Sequence, residues 1–262
     1  MIHARKRFGQ HFLHDPAVLA RIVATVAPRP DEQLVEIGPG AGALTAGLLA
    51  CVAHLDAVEI DRDLAATLRQ RWPQALTLHE GDALRFDFSR LAAMRGARLR
   101  VVGNLPYNIS TPLLFHLLAH RAALRDLTLM LQKEVVERMA AQPATPDYGR
   151  LTVMLAPWFD IAHLFDVGPG AFQPPPRVWS AVAQLTVLDQ PRFAVPAGYG
   201  ELVARAFAQR RKTLRNSLRG LVPGRGWETA GVDPGARPET LHPGQFAALA
   251  AAAGGERTAA SA

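Results

Sequence analysis

The 262-residue chain is 49% hydrophobic and 20% charged, which suits one large domain or two unequal ones around a substantial core. Its formal net charge of +6 points toward a polyanionic partner, because lysine and arginine release counterions against phosphate, although a basic enzyme without such a partner has the same balance. The single cysteine, Cys51, excludes an intrachain disulfide, a cysteine-rich zinc site and a CxxC redox pair, and no apolar run reaches the roughly 18–20 residues of a bilayer span, so a cytoplasmic protein with no membrane partner is expected.

The basic start, residues 1–8, runs into Gly9, Gln10 and His11 rather than an apolar stretch with a cleavage site, so no secretory signal is expected. His14-Asp15-Pro16 reads as a helix start, and residues 17–26 carry apolar side chains at helical spacing until Pro28 and Pro30 stop them. Strands are expected at 34–37, 55–60, 75–79, 99–102 and 127–131, with helical patterns between most of them, which is the rhythm of an α/β protein with a parallel sheet. Residues 148–158 and 161–167 continue the apolar pattern. Pro174-Pro175-Pro176 forces an extended path, and residues 178–188 alternate like a further strand that completes the sheet. Residues 189–200 are rich in proline and glycine, and helices are expected at 201–218 and 245–253. The expected division is therefore a Rossmann-like domain over 1–189, with an N-terminal helical extension, and a small helical domain over 190–262.

Glu36-Ile37-Gly38-Pro39-Gly40-Ala41-Gly42-Ala43-Leu44-Thr45 follows the first expected strand of the sheet and opens a helix, where glycines let the backbone turn tightly and approach a ligand. Glu59, at the end of the next strand, is placed to accept hydrogen bonds from ribose hydroxyls, and Asp82 in Glu80-Gly81-Asp82-Ala83 can accept from an adenine amino group. Gly38, Gly40 and Ala43 also satisfy the loose dinucleotide pattern, so the loop alone does not choose its ligand. Glu36 favours S-adenosylmethionine, since a carboxylate there can fix the loop or meet a cationic methionine end, whereas NAD brings an anionic pyrophosphate.

The segment Val101-Val102-Gly103-Asn104-Leu105-Pro106-Tyr107-Asn108-Ile109-Ser110 ends the fourth strand at the sheet edge where α/β enzymes bind ligands. An adenine amino nitrogen has its lone pair delocalised into the ring, so a site that methylates it must hold the amino group with acceptors. The Asn104 side-chain oxygen and the Leu105 carbonyl are the candidates. Pro106 stiffens their turn, and Tyr107 can stack on a base unstacked from its neighbours. Scattered histidines form no metal-ligand constellation such as HExxH, so no metal is expected.

Asn104-Leu105-Pro106-Tyr107 resembles the (Asn/Asp)-Pro-Pro-Tyr motif of amino methyltransferases, and the chain is similar to the bacterial 16S rRNA adenine dimethyltransferase family over nearly its whole length: residues 5–13, 35–40, 58–61, 103–112, 131–135, 148–151, 172–178 and 209–218. The resemblance implies that His11, Leu13, Gly38, Gly40, Glu59, Asp82 and Asn104 contact S-adenosyl-L-methionine. It also implies that Asn104, Leu105, Pro106 and Tyr107 form the adenine site with Phe172 as a second aromatic wall. The implied reaction places two methyl groups on each of two adjacent adenosines near the 3′ end of 16S rRNA, in an assembling small ribosomal subunit, by an enzyme taken as a monomer. The family usually carries Asn at the position of His11, which puts a side-chain contact there in doubt and leaves a backbone contact possible.

Residues 205–219 carry six basic side chains and no acid, with Phe207, Leu214 and Leu218 at roughly helical spacing, so one face can pack while Arg205, Arg210, Arg211, Lys212 and Arg215 meet RNA phosphate. A solvated basic helix has the same pattern. Arg5-Lys6-Arg7 offers a second basic contact. Three other readings share some of these features: a macrolide-resistance methylase acting on 23S rRNA, a non-catalytic nucleic-acid binder on the same fold, and a nicotinamide-dependent oxidoreductase, which has no use for Asn-Leu-Pro-Tyr.

Overall fold

The computed structural model describes residues 11–209 and 212–259. Asp15 caps the first helix as its sequence suggests: its carboxylate accepts from the Ala17 and Val18 amides at 2.8 and 3.1 Å, and Pro16 occupies the first turn of α1 (Pro16–Val26), where no amide is missed. From there the chain alternates strand and helix through β2 (Leu34–Ile37), α2 (Ala43–Leu49), β3 (Leu55–Glu59), α3 (Arg62–Arg71), β4 (Leu76–Glu80), α4 (Phe88–Arg95), β5 (Leu99–Asn104), α5 (Ser110–Ala119) and β6 (Leu124–Gln132). It continues through α6 (Lys133–Ala140), α7 (Arg150–Leu155), β7 (Phe159–Val167) and β9 (Ser180–Val187). These strands form one sheet in the order β4-β3-β2-β5-β6-β9-β7, parallel from β4 to β6 and antiparallel between β6 and β9. The fold is the expected Rossmann-like α/β type. β2 and β3 are buried along their whole length, as strands covered on both faces must be.

A two-stranded antiparallel pair, β1 (Phe12–Leu13) with β8 (Phe172–Gln173), was not visible in the sequence because two residues are too few to show alternation. It brings the N-terminal strand to the segment before the proline run. No helix among the described residues is long and apolar enough to cross a membrane.

Contacts divide the chain into two units, one comprising residues up to Val136 with Asp160–Val187, the other Glu137–Phe159 with Leu188–Ala262. Residues 137–159, expected within the first domain, thus cluster with the second unit. Tyr148 explains part of this: fully buried, it donates its hydroxyl to the Leu241 carbonyl at 2.7 Å, while Tyr199 donates to Val153 at 2.8 Å. The second unit also holds α8 (Tyr199–Phe207), α9 (Leu214–Ser217), α10 (Gly224–Ala230) and α11 (Pro243–Ala259). The single helix expected over 201–218 is instead α8 and α9. The Leu214 and Arg215 amides bond to the Ala236 and Pro234 carbonyls at 2.9 Å, and these tertiary partners replace the helical bonds four residues back. Arg205, Lys212 and Arg215 are exposed, whereas Arg210 and Arg211, like Arg5-Lys6-Arg7, lie outside the described residues.

Candidate active site

At the carboxyl edge of the sheet, three glycines after β2 take left-handed backbone angles, with φ of +68° at Gly38, +58° at Gly40 and +81° at Gly42, a conformation that disfavours any side chain. Gly103 serves differently. A Cβ there would sit 2.7 Å from the Ile37 carbonyl, so its hydrogen lets β5 run close beside β2. The outcome is a cavity of about 290 Å³ lined by His11, Phe12, Leu13, Glu36, Gly38, Gly40, Glu59, Ile60, Asp82, Asn104, Leu105, Pro106 and Tyr107, among others.

Two buried carboxyl groups lie against this cavity with no basic partner among the described residues. Glu36 is 2% exposed; burial, helped by the nearby Glu59 charge, pushes its pKa up to about 8 in spite of the hydrogen bond donated by Thr45 Oγ1 at 2.6 Å. Glu59 is likewise raised by burial, against the amides of Asp61 at 2.9 Å and Gly40 at 3.1 Å that donate to its two oxygens. Those bonds lock the glycine loop to the end of β3, with the Ile60 amide as a further donor, and the two oxygens together still have lone pairs for a ligand. Asp82 uses one oxygen to accept from the Leu84 amide at 2.9 Å.

Asn104 ends β5, and its Nδ2 donates to the His11 carbonyl at 2.9 Å. That bond fixes which end of the amide is which, leaving Oδ1 as an acceptor without a donor among the described residues. The Leu105 carbonyl is in the same condition, while its amide donates to Met130 at 3.0 Å. Tyr107 is half-buried. Its hydroxyl shares a 2.6 Å hydrogen bond with Ser180 Oγ, and burial raises its pKa. The His11 imidazole stacks on the Tyr107 ring with centroids 5.4 Å apart, and its Nδ1 donates to the Pro174 carbonyl at 2.8 Å. The backbone of His11 thus engages Asn104 while its side chain turns to Tyr107 and the proline run.

Phe172 does not join this group. It is 1% exposed, belongs to the hydrophobic core with Leu13 and Val182, pairs with Leu13 across β1 and β8, and is absent from the cavity wall, so the sequence assignment as a second aromatic wall is corrected to a core position. The sequence also passed over Thr45 and Ser180, which position Glu36 and Tyr107. Thr45 sits in the quoted glycine segment, but its pairing with Glu36 arises only when α2 folds back against β2. Ser180, 73 residues from Tyr107, left no signal. Chemically, the arrangement offers two free acceptors beside an aromatic ring, next to a cavity whose buried carboxyl groups favour a ligand with positive charge and hydroxyl donors.

The family model for ribosomal RNA adenine dimethylase matches residues 1–253. Curated relatives include the Ribosomal RNA small subunit methyltransferase A of Thiobacillus denitrificans, 54% identical over 252 residues that cover 94% of this chain and 96% of the relative. That of Aromatoleum aromaticum is 53% identical over 249 residues, covering 94% and 92%. Among solved structures, a dimethyladenosine transferase from Plasmodium falciparum superposes with a TM-score of 0.76 at 25% identity, covering 91% of this chain and 96% of its own. A 23S rRNA methyltransferase, ErmE, superposes with a TM-score of 0.67 at 28% identity, covering 93% and 99%.

Proposed function

The chain belongs to the ribosomal RNA adenine dimethylase family, and on that premise we propose that it uses S-adenosyl-L-methionine to dimethylate two adjacent adenosines near the 3′ end of 16S rRNA, in the small ribosomal subunit, during ribosome biogenesis in the cytoplasm. The observation that carries the chemistry is the orientation of Asn104: with Nδ2 committed to the His11 carbonyl, Oδ1 and the Leu105 carbonyl are the two acceptors an adenine amino group requires.

When bound, S-adenosyl-L-methionine supplies an electrophilic methyl group on a cationic sulfonium. Glu36 and Glu59 suit such a ligand, because each is a buried carboxyl group whose ionised form lacks a cation among the described residues. Glu59 and Asp82 would hold such a ligand as acceptors, Glu59 for its ribose hydroxyls and Asp82 for its adenine amino group, and Gly38, Gly40, His11 and Leu13 would line its site. Asn104 and Leu105 hold the target amino group so that its lone pair is turned toward the methyl, with Pro106 limiting the motion of the turn. Tyr107, pinned by Ser180, gives the target base a ring to stack on, on the face that His11 does not cover. Once methylated, the amino nitrogen is cationic and strongly acidic and passes its proton to solvent water, so no base of shifted pKa is required. The exposed Arg205, Lys212 and Arg215, together with Arg210 and Arg211, are the proposed phosphate contacts, and the enzyme acts as a monomer.

The likeness to ErmE makes 23S rRNA the competing substrate. Purified protein with labelled S-adenosyl-L-methionine is offered unmethylated small subunits and, in parallel, large subunits, with nucleoside analysis of the products. Dimethyladenosine near the 3′ end of 16S rRNA is expected. Label confined to 23S rRNA would overturn the substrate, and no label in spite of cofactor binding would favour the non-catalytic reading.

A further inference from the structure

Trp179 is 55% exposed and its neighbour Val178 43% exposed, so two large apolar side chains stand side by side in water on the segment entering β9. Ile60 and Met94 are also exposed in this unit, but singly; a neighbouring pair is the beginning of a patch, and contiguous apolar patches mark contact surfaces. Their place in the fold is specific. The Trp179 carbonyl accepts from the Lys133 amide at 3.0 Å, which fixes its backbone, and the indole lies beside Gly168 at the end of β7, where a side chain would come into van der Waals contact with it. The next residue, Ser180, pairs with Gln132 at the carboxyl end of β6 and holds the Tyr107 hydroxyl, while Asn104 pairs with Met130 on the same strand. Trp179 therefore stands on the same sheet edge as the Asn104–Tyr107 turn, outside the cavity that the turn helps to line. Two residues earlier in the chain, Arg177 is exposed.

We infer that Trp179, on an exposed segment that also carries Arg177 and Val178, is a stacking platform for a nucleobase flanking the target adenosine in the RNA. The inference rests on the reading of the site given above. Drawing one base out of its stack leaves the neighbouring base without a partner on one face, and an exposed indole on the same sheet edge as the site replaces that lost stacking, while the exposed Arg177, two residues away in the chain, supplies a cation for the flanking phosphate. An RNA occupant is favoured over a protein one by the cationic flank, by the net charge of +6 and by the link through Ser180 to the ring on which the target base stacks.

The test compares Trp179→Ala and Trp179→Phe with the parent protein on unmethylated small subunits. Trp179→Ala is expected to raise KM for the subunit about tenfold, the order expected for one base stacked on an aromatic side chain, with cofactor affinity unchanged, and Trp179→Phe is expected to restore most of it. A single-stranded RNA oligonucleotide carrying two adjacent adenosines should quench the tryptophan emission of the parent more than that of Trp179→Phe, the difference isolating Trp179 from the other three tryptophans. An unchanged KM in Trp179→Ala overturns the platform. A raised KM without Trp179-dependent quenching assigns the surface to a ribosomal protein and also overturns it. If the parent methylates neither subunit, the functional reading fails separately, and the quenching alone then decides whether Trp179 meets RNA.

Discussion

Four positions separate Glu32 from Glu36, yet the two carboxyl groups at opposite ends of β2 sit in opposite electrostatic states. At the amino end, burial alone would raise the pKa of Glu32, but the Arg29 amide at 3.0 Å, Arg100 at 2.5 Å and Arg125 at 2.7 Å outweigh it and hold the group at about 2. Arg100 completes that network by engaging both oxygens of Asp126 at 3.0 Å and the Val26 carbonyl at 2.8 Å. At the carboxyl end, Glu36 has a single hydroxyl donor and is pushed up to about 8. One end of the sheet is electrostatically complete and the other is left open. Carboxylates that the fold has paired serve the fold, whereas buried ones left without a cation indicate where a ligand's charge belongs.

The comparison is broken most strongly at Arg100. Arg100→Met leaves buried Asp126 with only the more distant Arg125, at 4.0 Å, and weakens the hold on Glu32, so thermal or denaturant unfolding should show a loss of about 3 kcal/mol. Because the folded pKa of Glu32 lies below its unfolded value of 4.5, its contribution is present above that pH and lost as pH falls toward 2. The acid limb of the parent's stability curve should flatten in Arg100→Met, and an unchanged limb would mean that Arg29 and Arg125 suffice.

At the open end, Asn104→Ala removes one acceptor for the amino group and the anchor for the His11 carbonyl, while Gly38 and Glu59 remain. Methyl transfer should fall about 10²–10³-fold with cofactor affinity within a few-fold of the parent. Near-normal transfer would remove Asn104 from the mechanism.

The smallest expected effect sharpens the comparison most. A cationic ligand prefers ionised Glu36, so cofactor affinity should rise with pH up to about 8, by at most about tenfold per pH unit, and level off above it. In Glu36→Gln that dependence should be lost. Calorimetric titrations across pH 6–9 on both proteins test this, and a parallel dependence in the two would place the titrating group elsewhere.

The structure bears out the reading of the α/β sheet, its strands and the opening of α1, since each rested on local pattern or on a cap formed within four residues. The glycine loop, Glu36, Glu59, Asp82 and the Asn104–Tyr107 turn line one cavity, because in a parallel sheet every such segment ends at the same edge. Phe172 failed because aromatic identity beside a proline run says nothing of which way the ring faces; pairing of β8 with β1 sends it into the core. The helix over 201–218 failed because bonds to the 234–236 segment compete with helical ones, a contest no local propensity records.

The amino-acid sequence by itself determined the alternation of strands and helices from β2 to β6, the glycine turn and the family, because these depend on spacing and on the identity of neighbouring residues. Only the tertiary structure decided that Thr45 and Ser180 hold the working groups, that His11 acts through its carbonyl on Asn104, and that Glu32 and Glu36 diverge. Each of these depends on which distant donor reaches a buried acceptor, and the folded backbone sets that distance.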